Sequence, residues 1–392
     1  MLSIIARNRG CRGTGLQIVN GPVQLLMVVL AAAIGSLAAS AREPNAAQVQ
    51  KSVDRAIQYL GSKAQADDGS FSSRIGPGPT ALIVMAVLRN GRGVRDPLVA
   101  KGLKYLETFV QSDGGIHATK SRLPTYETCL AIVCFQAANT DGKYDETIKK
   151  ADAYLKGLQD LGGADGEADP GYGGASYGKD QRPDLSNTHF LVEALRAAGN
   201  GEDDEAVQRA LVFVSRCQNL ESEHNTTPLA AKVNDGGFYY TPIGEGSSPA
   251  GNTANGGLRS YGAMSYAGLK SMLYAGVDAD DPRVKAAIEW IGQNYSVAEN
   301  PGLGQAGVYY YYHLFAKALD ALGHDEIADA QGKPHSWRAD LAQELAKRQQ
   351  KDGSWINTDS RWMEGDPGLC TGFALLALSY CRQSDSSSQS KP

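Results

Sequence analysis

The side chains able to do chemistry stand where apolar runs of this chain begin. Tyr126, Glu127 and Cys129 open one run, Asn187 and His189 the next, then Tyr261, then Tyr310, Tyr311 and His313, and finally Asp366 and Cys370. Three chemistries would use them. Tyrosines walling a cavity suit an apolar chain that develops cationic character, or a sugar ring, because the ring face is electron-rich and the hydroxyl offers a hydrogen bond. The sequence holds 18 Tyr against 8 Phe, so most of its smaller aromatic surface is hydroxylated. Glu127 facing Asp366 would give the carboxylate pair of a glycosidase, with the loop Gly162 to Asp184 adding Asp165, Glu167 and Asp169. His313 with Cys370, joined by His189 or Asp366, would make a small zinc site. Against all three stands a plainer reading, in which polar residues at helix starts satisfy backbone N–H groups.

What positions these residues is a repeat. Gln349-Gln350-Lys351-Asp352-Gly353-Ser354-Trp355 ends one helical pattern and precedes another. Gln65-Ala66-Asp67-Asp68-Gly69-Ser70-Phe71 is a second copy, Gln111-Ser112-Asp113-Gly114-Gly115-Ile116 a third, and Asn234-Asp235-Gly236-Gly237-Phe238 a fourth, displaced from Gln218 by an insertion. Gly173-Gly174 and Gly304-Gln305-Ala306-Gly307 stand where eroded copies belong. The motif reads as a helix exit, with Gly in the left-handed conformation, Asp bonding nearby backbone, and the aromatic packing the turn down.

Around these turns two helix types alternate. Asn45 to Lys63 carries Val49, Val53, Ala56, Ile57 and Leu60 at helical spacing among charged residues, which makes an outer helix with one apolar stripe. Ala81 to Leu88 is apolar all round and is therefore an inner helix. Further outer helices are expected from about Asp96 to Gln111, Asp145 to Gln159, Asp203 to Gln218, Asp281 to Gln293 and His335 to Gln350. Further inner helices are expected over Pro124 to Ala138, Leu185 to Ala198, Ser260 to Ala275, Tyr309 to Leu322 and Gly368 to Tyr380. Asp96-Pro97 and Asp281-Pro282 supply an Asp N-cap followed by Pro in the first turn. The last inner helix is apolar on all sides and needs a partner, while the chain opens on an unpaired outer helix. Closing a ring satisfies both and predicts an all-α fold, an α6/α6 toroid of six inner and six outer helices, over residues 42–382.

With this arrangement the sequence resembles the superfamily of terpenoid cyclases and protein prenyltransferase β-subunits, whose repeats of the form QxxDGSW or QxxDGSF lie between outer and inner helices. The resemblance spans nearly the whole chain after residue 41. It implies an α/α toroid with inner helices starting at one common mouth, and an isoprenoid or other apolar small molecule as ligand. Tyr126, Glu127, Asn187, His189, Tyr261, Tyr310, His313, Asp366 and Cys370 are then the expected ligand-binding residues, with no catalytic residue assigned and no cofactor expected. Class II terpene cyclases carry an Asp-x-Asp-Asp acid; Asp278-Ala279-Asp280-Asp281 matches its letters but sits at the start of an outer helix, where it caps. The zinc triad of the prenyltransferases is missing: Cys370 stands in place of its His, and Val308 to His313 lacks its Asp and Cys. Two alternatives to an apolar ligand stay open: a non-catalytic scaffold binding extracellular protein or glycan through the loops Gly162 to Asp184 and Leu220 to Leu258, and carbohydrate cleavage by paired carboxylates.

Arg7, Arg9 and Arg12 precede an apolar run from Val23 to Ala39, and Ala39-Ser40-Ala41 is a small-residue cleavage site, so residues 1–41 read as an export signal and the mature chain as periplasmic or secreted. An uncleaved anchor is the alternative. Nothing later is apolar enough to span a membrane, and residues 383–392 read as a disordered polar tail. The net charge of -5 argues against nucleic acid. Once Cys11 leaves with the signal, five cysteines remain; they cannot all pair, and Cys129, Cys134 and Cys370 fall within apolar runs as small buried hydrophobes. There is no phosphate-cradling Gly-Lys-Ser/Thr loop and no His-Glu-x-x-His. Asp165, Glu167 and Asp169 miss the EF-hand spacing.

Overall fold

The computed structural model describes residues 43–179 and 181–382. The expected export signal and polar tail lie outside the described residues. Within these, twelve helices of at least eleven residues alternate between rim and hub. The rim is formed by α1 (Ala46–Tyr59), α3 (Pro97–Glu107), α5 (Asp145–Leu158), α7 (Glu205–Arg216), α9 (Pro282–Gln293) and α11 (Trp337–Arg348). The hub is formed by α2 (Gly78–Arg89), α4 (Pro124–Ala138), α6 (Leu185–Ala197), α8 (Gly262–Tyr274), α10 (Val308–Leu322) and α12 (Pro367–Cys381). A one-turn helix, Ala230–Val233, lies in the long loop before α8.

Side-chain pattern decides which helix goes where. In α12 every residue from Gly368 to Leu378 is buried, so no face is left for water. In α7 only one side is buried, including Ala206, Val207, Ala210, Phe213 and Val214, and the charged residues turn outward. The hub helices contact one another in the order α2, α4, α6, α8, α10, α12 and back to α2. The ring is closed, and α1 packs on α12 as the predicted seal.

The repeat turn makes this closure specific. Its Asp accepts from the backbone two residues on: Asp68 from Ser70 at 2.9 Å, Asp113 from Gly115 at 3.0 Å and Asp352 from Ser354 at 3.1 Å. Its Gln side chain donates twice, to its own turn and to the next rim helix or its cap: Gln65 to Gly69 and Leu98, Gln159 to Gly173 and Ala206, Gln218 to Gly236 and Arg283. For the last copy the next rim helix is the first: Gln349 donates to Gly353 at 2.9 Å and to Ser52 of α1 at 2.8 Å.

The glycine has a different role from the expected helix stop. In the last copy α11 ends at Gln349 in extended conformation, and Gly353 turns left-handed four residues later, at φ 97°. There the turn abuts the backbone of the next rim helix: a Cβ would fall 2.6 Å from the Lys150 carbonyl oxygen at Gly114 and 2.5 Å from that of Ala286 at Gly236. Glycine is thus required twice over, by φ and by close approach. A further element of the motif lies outside the turn. The N–H after it donates to a hydroxyl on the following hub helix, Phe71 to Thr80, Ile116 to Thr128, Ala175 to Thr188, Phe238 to Ser265 and Trp355 to Thr371.

Some boundaries differ from the sequence pattern. The rim helix expected to begin at His335 begins at Trp337, because β1 (Glu326–Ala328) and β2 (Pro334–Ser336) form an antiparallel hairpin pairing Ile327 with His335. Asp329 accepts the N–H of Gln331 and Lys333 to close it. His335 is held between Asp329 at 2.9 Å and Asp340 at 3.1 Å. α3 stops at Glu107, short of Gln111, where Val110 bridges Ile116. Cys129, Cys134, Cys217, Cys370 and Cys381 are free and buried.

Candidate functional site

At the end of the ring where the hub helices start, a cavity of about 500 Å³ opens. Each hub helix contributes from its first two turns: Pro79 of α2, Tyr126 of α4, Ser186 and Phe190 of α6, Ala263 and Met264 of α8, Tyr310 of α10, and Leu369 and Phe373 of α12. The rim loops finish it. Tyr177 comes from the loop before α6, Tyr240, Ser247, Ser248 and Pro249 from the loop before α8, Asn300 and Leu303 from the loop before α10, and Arg361, Trp362 and Met363 from the strap before α12. The wall is aromatic and aliphatic with scattered hydroxyls, and Arg361 is its only charged lining residue among those described.

Of the expected ligand-binding residues, Tyr126, Tyr261 and Tyr310 are in this wall. The others are not, and each has a physical reason. Glu127 turns away from the cavity, where its carboxylate accepts the Ala118 N–H at 3.0 Å. Asp366 caps α12, accepting from Leu369 at 2.9 Å and from Ser72 at 2.9 Å. Asn187 donates its backbone and side-chain N–H groups to Asp184, the cap of α6. Cys370 donates its thiol to the Glu364 carbonyl. The imagined carboxylate pair is therefore one loop tie, Glu127, and one helix cap, Asp366.

His189 and His313 lie beneath the cavity in a buried polar layer. His189 Nε2 is 2.6 Å from the Tyr310 hydroxyl, which is itself 3.1 Å from Ser186 Oγ. Its Nδ1 is 3.0 Å from Lys270 Nζ. Lys270 of α8 pairs with Glu193 of α6 at 2.8 Å, and Lys317 of α10 pairs with the same carboxylate. His313 stacks on Phe373 with centroids 6.0 Å apart, and its Nδ1 has no hydrogen-bond partner among the described residues. Burial and the neighbouring ammonium groups hold both imidazoles well below their ordinary range, so they are neutral. Burial by itself would raise Glu193, but the two lysines outweigh it and keep the carboxylate ionised. Lys270 is pushed down to about 8 by burial, against the pull of Glu193.

Two further carboxyls stand behind the wall. Asp184 is pushed up to about 6 and Glu364 to about 7, both by burial and against the hydrogen bonds they accept. Glu364 receives the Tyr310 N–H at 2.8 Å and the Asn357 side-chain amide at 2.7 Å, so it caps α10 and ties down the strap. Sequence reasoning missed Glu364, Arg361 and Trp362. Their signal was an arginine and a tryptophan in an otherwise polar loop just before a hub helix.

No three or more His, Cys, Asp or Glu side chains come together among the described residues as a metal would require, and His189, His313, Asp366 and Cys370 are each engaged or oriented elsewhere. Asp278-Ala279-Asp280-Asp281 lies at the opposite end of the ring. Asp281 accepts the Arg283 N–H at 2.8 Å as the cap of α9, and Asp280 pairs with Lys285 at 2.9 Å. Protonating an alkene needs an acid in contact with it, and no lining residue of the cavity carries a carboxyl group. The wall is equipped to hold a ligand by aromatic faces, hydroxyls and one guanidinium.

Residues 79–240 match the family of the squalene-hopene cyclase C-terminal domain. Over that stretch the chain is similar to terpenoid cyclases of the α/α toroid type. Among solved structures it is similar to a family 88 glycosyl hydrolase from Bacteroides vulgatus, at 12% identity and a TM-score of 0.48, covering 85% of this chain and 98% of that one. It is also similar to the type II terpene cyclase MstE from Scytonema, at 13% identity and a TM-score of 0.31, covering 85% and 98%. A variant of that cyclase in complex with geranylgeranyl dihydroxybenzoate aligns at 13% identity and a TM-score of 0.31, covering 86% and 97%. No curated protein sequence matches the chain. Among its described residues no helix is long and apolar enough to cross a membrane.

Proposed function

We propose that this toroid binds an isoprenoid or similarly apolar small molecule in the cavity at the hub-helix starts. The supporting observation is the cavity itself: about 500 Å³, within the range of roughly 300–1,000 Å³ that small-molecule sites occupy, and walled by Tyr126, Phe190, Tyr261, Tyr310, Trp362 and Phe373 with no carboxylate. Burial of an apolar chain there is driven by the surface it removes from water. Tyrosine hydroxyls and Ser186 mark where a polar end or a hydroxyl would rest.

The long loops support this reading over a scaffold role, because Tyr177, Tyr240, Ser247, Ser248 and Pro249 complete the wall. Against carbohydrate cleavage, Glu127 is engaged with the Ala118 backbone and Asp366 with the start of α12. The N-terminal sequence adds export to the proposal, so the ligand is met outside the cytoplasm. The test is to isolate the protein from its native host, sequence its N-terminus and extract what it carries. A mature start near Arg42 and a retained polyprenyl or terpenoid species are expected, with retention lost in Ala263→Phe, which fills the cavity. A protein that retains no such species, and shows no saturable tryptophan quenching with added farnesol, would exclude the reading.

A further inference from the structure

Arg361 is the residue of the cavity that the fold does not explain. Carboxylates at the hub-helix starts are all spent on the fold: Glu127 on Ala118, Asp184 on Asn187, Glu364 on Tyr310 and Asn357, Asp366 on Leu369 and Ser72. Many arginines elsewhere are engaged, as Arg55 on Gln350, Arg283 on Asp281 and Arg348 on Glu344, and of the others Arg361 is the one that lines the cavity. The Arg361 guanidinium makes no hydrogen bond or ion pair with any described residue. Its contact is with the face of Trp362, 4.3 Å from guanidinium carbon to ring centroid, which leaves the N–H edge free. A stacked guanidinium with an unused edge is preorganised for a carboxylate or phosphate.

The strap that carries it is held in an uncommon backbone. Trp362 and Met363 have φ of 53° and 66°, left-handed values at two consecutive bulky residues. Such conformations cost free energy and persist where surrounding structure imposes them. Here that structure is Glu364 and Asn357 on one side and Gly307 on the other, where a Cβ would come 2.9 Å from the Trp362 ring. Trp362 is 45% and Met363 50% exposed, yet both line the cavity, so they sit across its entrance. Elsewhere the wall is apolar, through Pro79, Leu123 and Met264.

We propose that Arg361 and the strap around it select ligands with a single anionic head group, a carboxylate or a phosphate monoester, on an apolar tail that fills the cavity. This rests on the apolar-ligand reading above. One guanidinium edge matches one carboxylate or one monophosphate head, and among the described residues no group of metal-ligating side chains stands at the mouth to bridge a diphosphate. The head stays at the entrance on the guanidinium edge while the tail lies against the tyrosines.

The experiment titrates the purified protein at pH 8 with farnesol, farnesoic acid and farnesyl monophosphate, following quenching of tryptophan fluorescence. The acid or the monophosphate, whichever head group fits, is expected to bind at least about tenfold more tightly than the alcohol. Arg361→Gln should bring it down to the affinity of the alcohol and leave the alcohol unchanged, while Arg361→Lys should keep part of the preference. Equal affinities for all three ligands, or a preference that survives Arg361→Gln, overturns the inference and leaves the apolar cavity standing. Absence of binding by all three overturns the cavity reading and the inference with it.

Discussion

Glu364 holds two backbone segments together and is buried for doing so. Its carboxyl releases its proton at about 7 in the fold, against 4.5 for an unperturbed glutamate, with burial as the main cause. Between those values the unfolded chain is ionised while the folded one keeps its proton, so the folded state binds more protons and stability falls as pH rises through this window. The contribution is fully present below pH 4.5 and gone above about 7; a difference of that size corresponds to about 3 kcal/mol. Asp184, raised from 3.8 to about 6, acts with the same sign at lower pH. Urea unfolding of Glu364→Gln at pH 5 and pH 8 should show a smaller drop than the wild type, with the variant gaining relative stability at pH 8. An unchanged difference between the two pH values would show that Glu364 does not titrate in this window.

Between helices, the decisive contact is the pairing of Glu193 on α6 with Lys270 on α8 and Lys317 on α10. Removing one partner of a buried ion pair leaves the other uncompensated, at a cost of about 3–5 kcal/mol. Glu193→Gln strands two ammonium groups and is expected to lose that much in chemical denaturation. The triple change Glu193→Leu, Lys270→Met, Lys317→Met should recover most of it. A loss under about 1 kcal/mol for the single variant would mean the layer is hydrated. This cluster was not legible in the sequence, because each member sits in a different apolar run and nothing along the chain sets how neighbouring runs align. The runs themselves were legible, from periodicity and from the Asp-Pro caps at Asp96 and Asp281. So were Tyr126, Tyr261 and Tyr310, since a parallel hub brings its helix starts to one mouth. Glu127 and Asp366 occupy the same positions but turn to the backbone, Glu127 to Ala118 and Asp366 to Leu369, and sequence does not say which way a side chain turns. Tyr177, Tyr240 and Arg361 enter from rim loops, whose course has no periodic signature.

For the molecule as a whole the seam is the test of closure. Gly69 and Gly353 have similar left-handed φ values, 91° and 97°, and press on the backbone of the next rim helix, at Lys101 and Arg55 respectively. One contact lies within the series and the other joins its two ends. Substitution by Ala at such a site destabilises by about 1–3 kcal/mol. In a closed ring Gly69→Ala and Gly353→Ala should cost about the same in thermal or urea unfolding. If the ring opened readily at the seam, Gly353→Ala would cost only the strain of its positive φ and clearly less than Gly69→Ala. A closed circuit also fixes its own circumference. An open solenoid gains reach by adding a unit at one end, whereas a seventh hairpin here would have to be inserted between existing neighbours and would widen the hub. The bore of the cavity is therefore counted in whole repeats, and evolution can adjust its capacity in finer steps only through wall side chains and the rim loops that close it over.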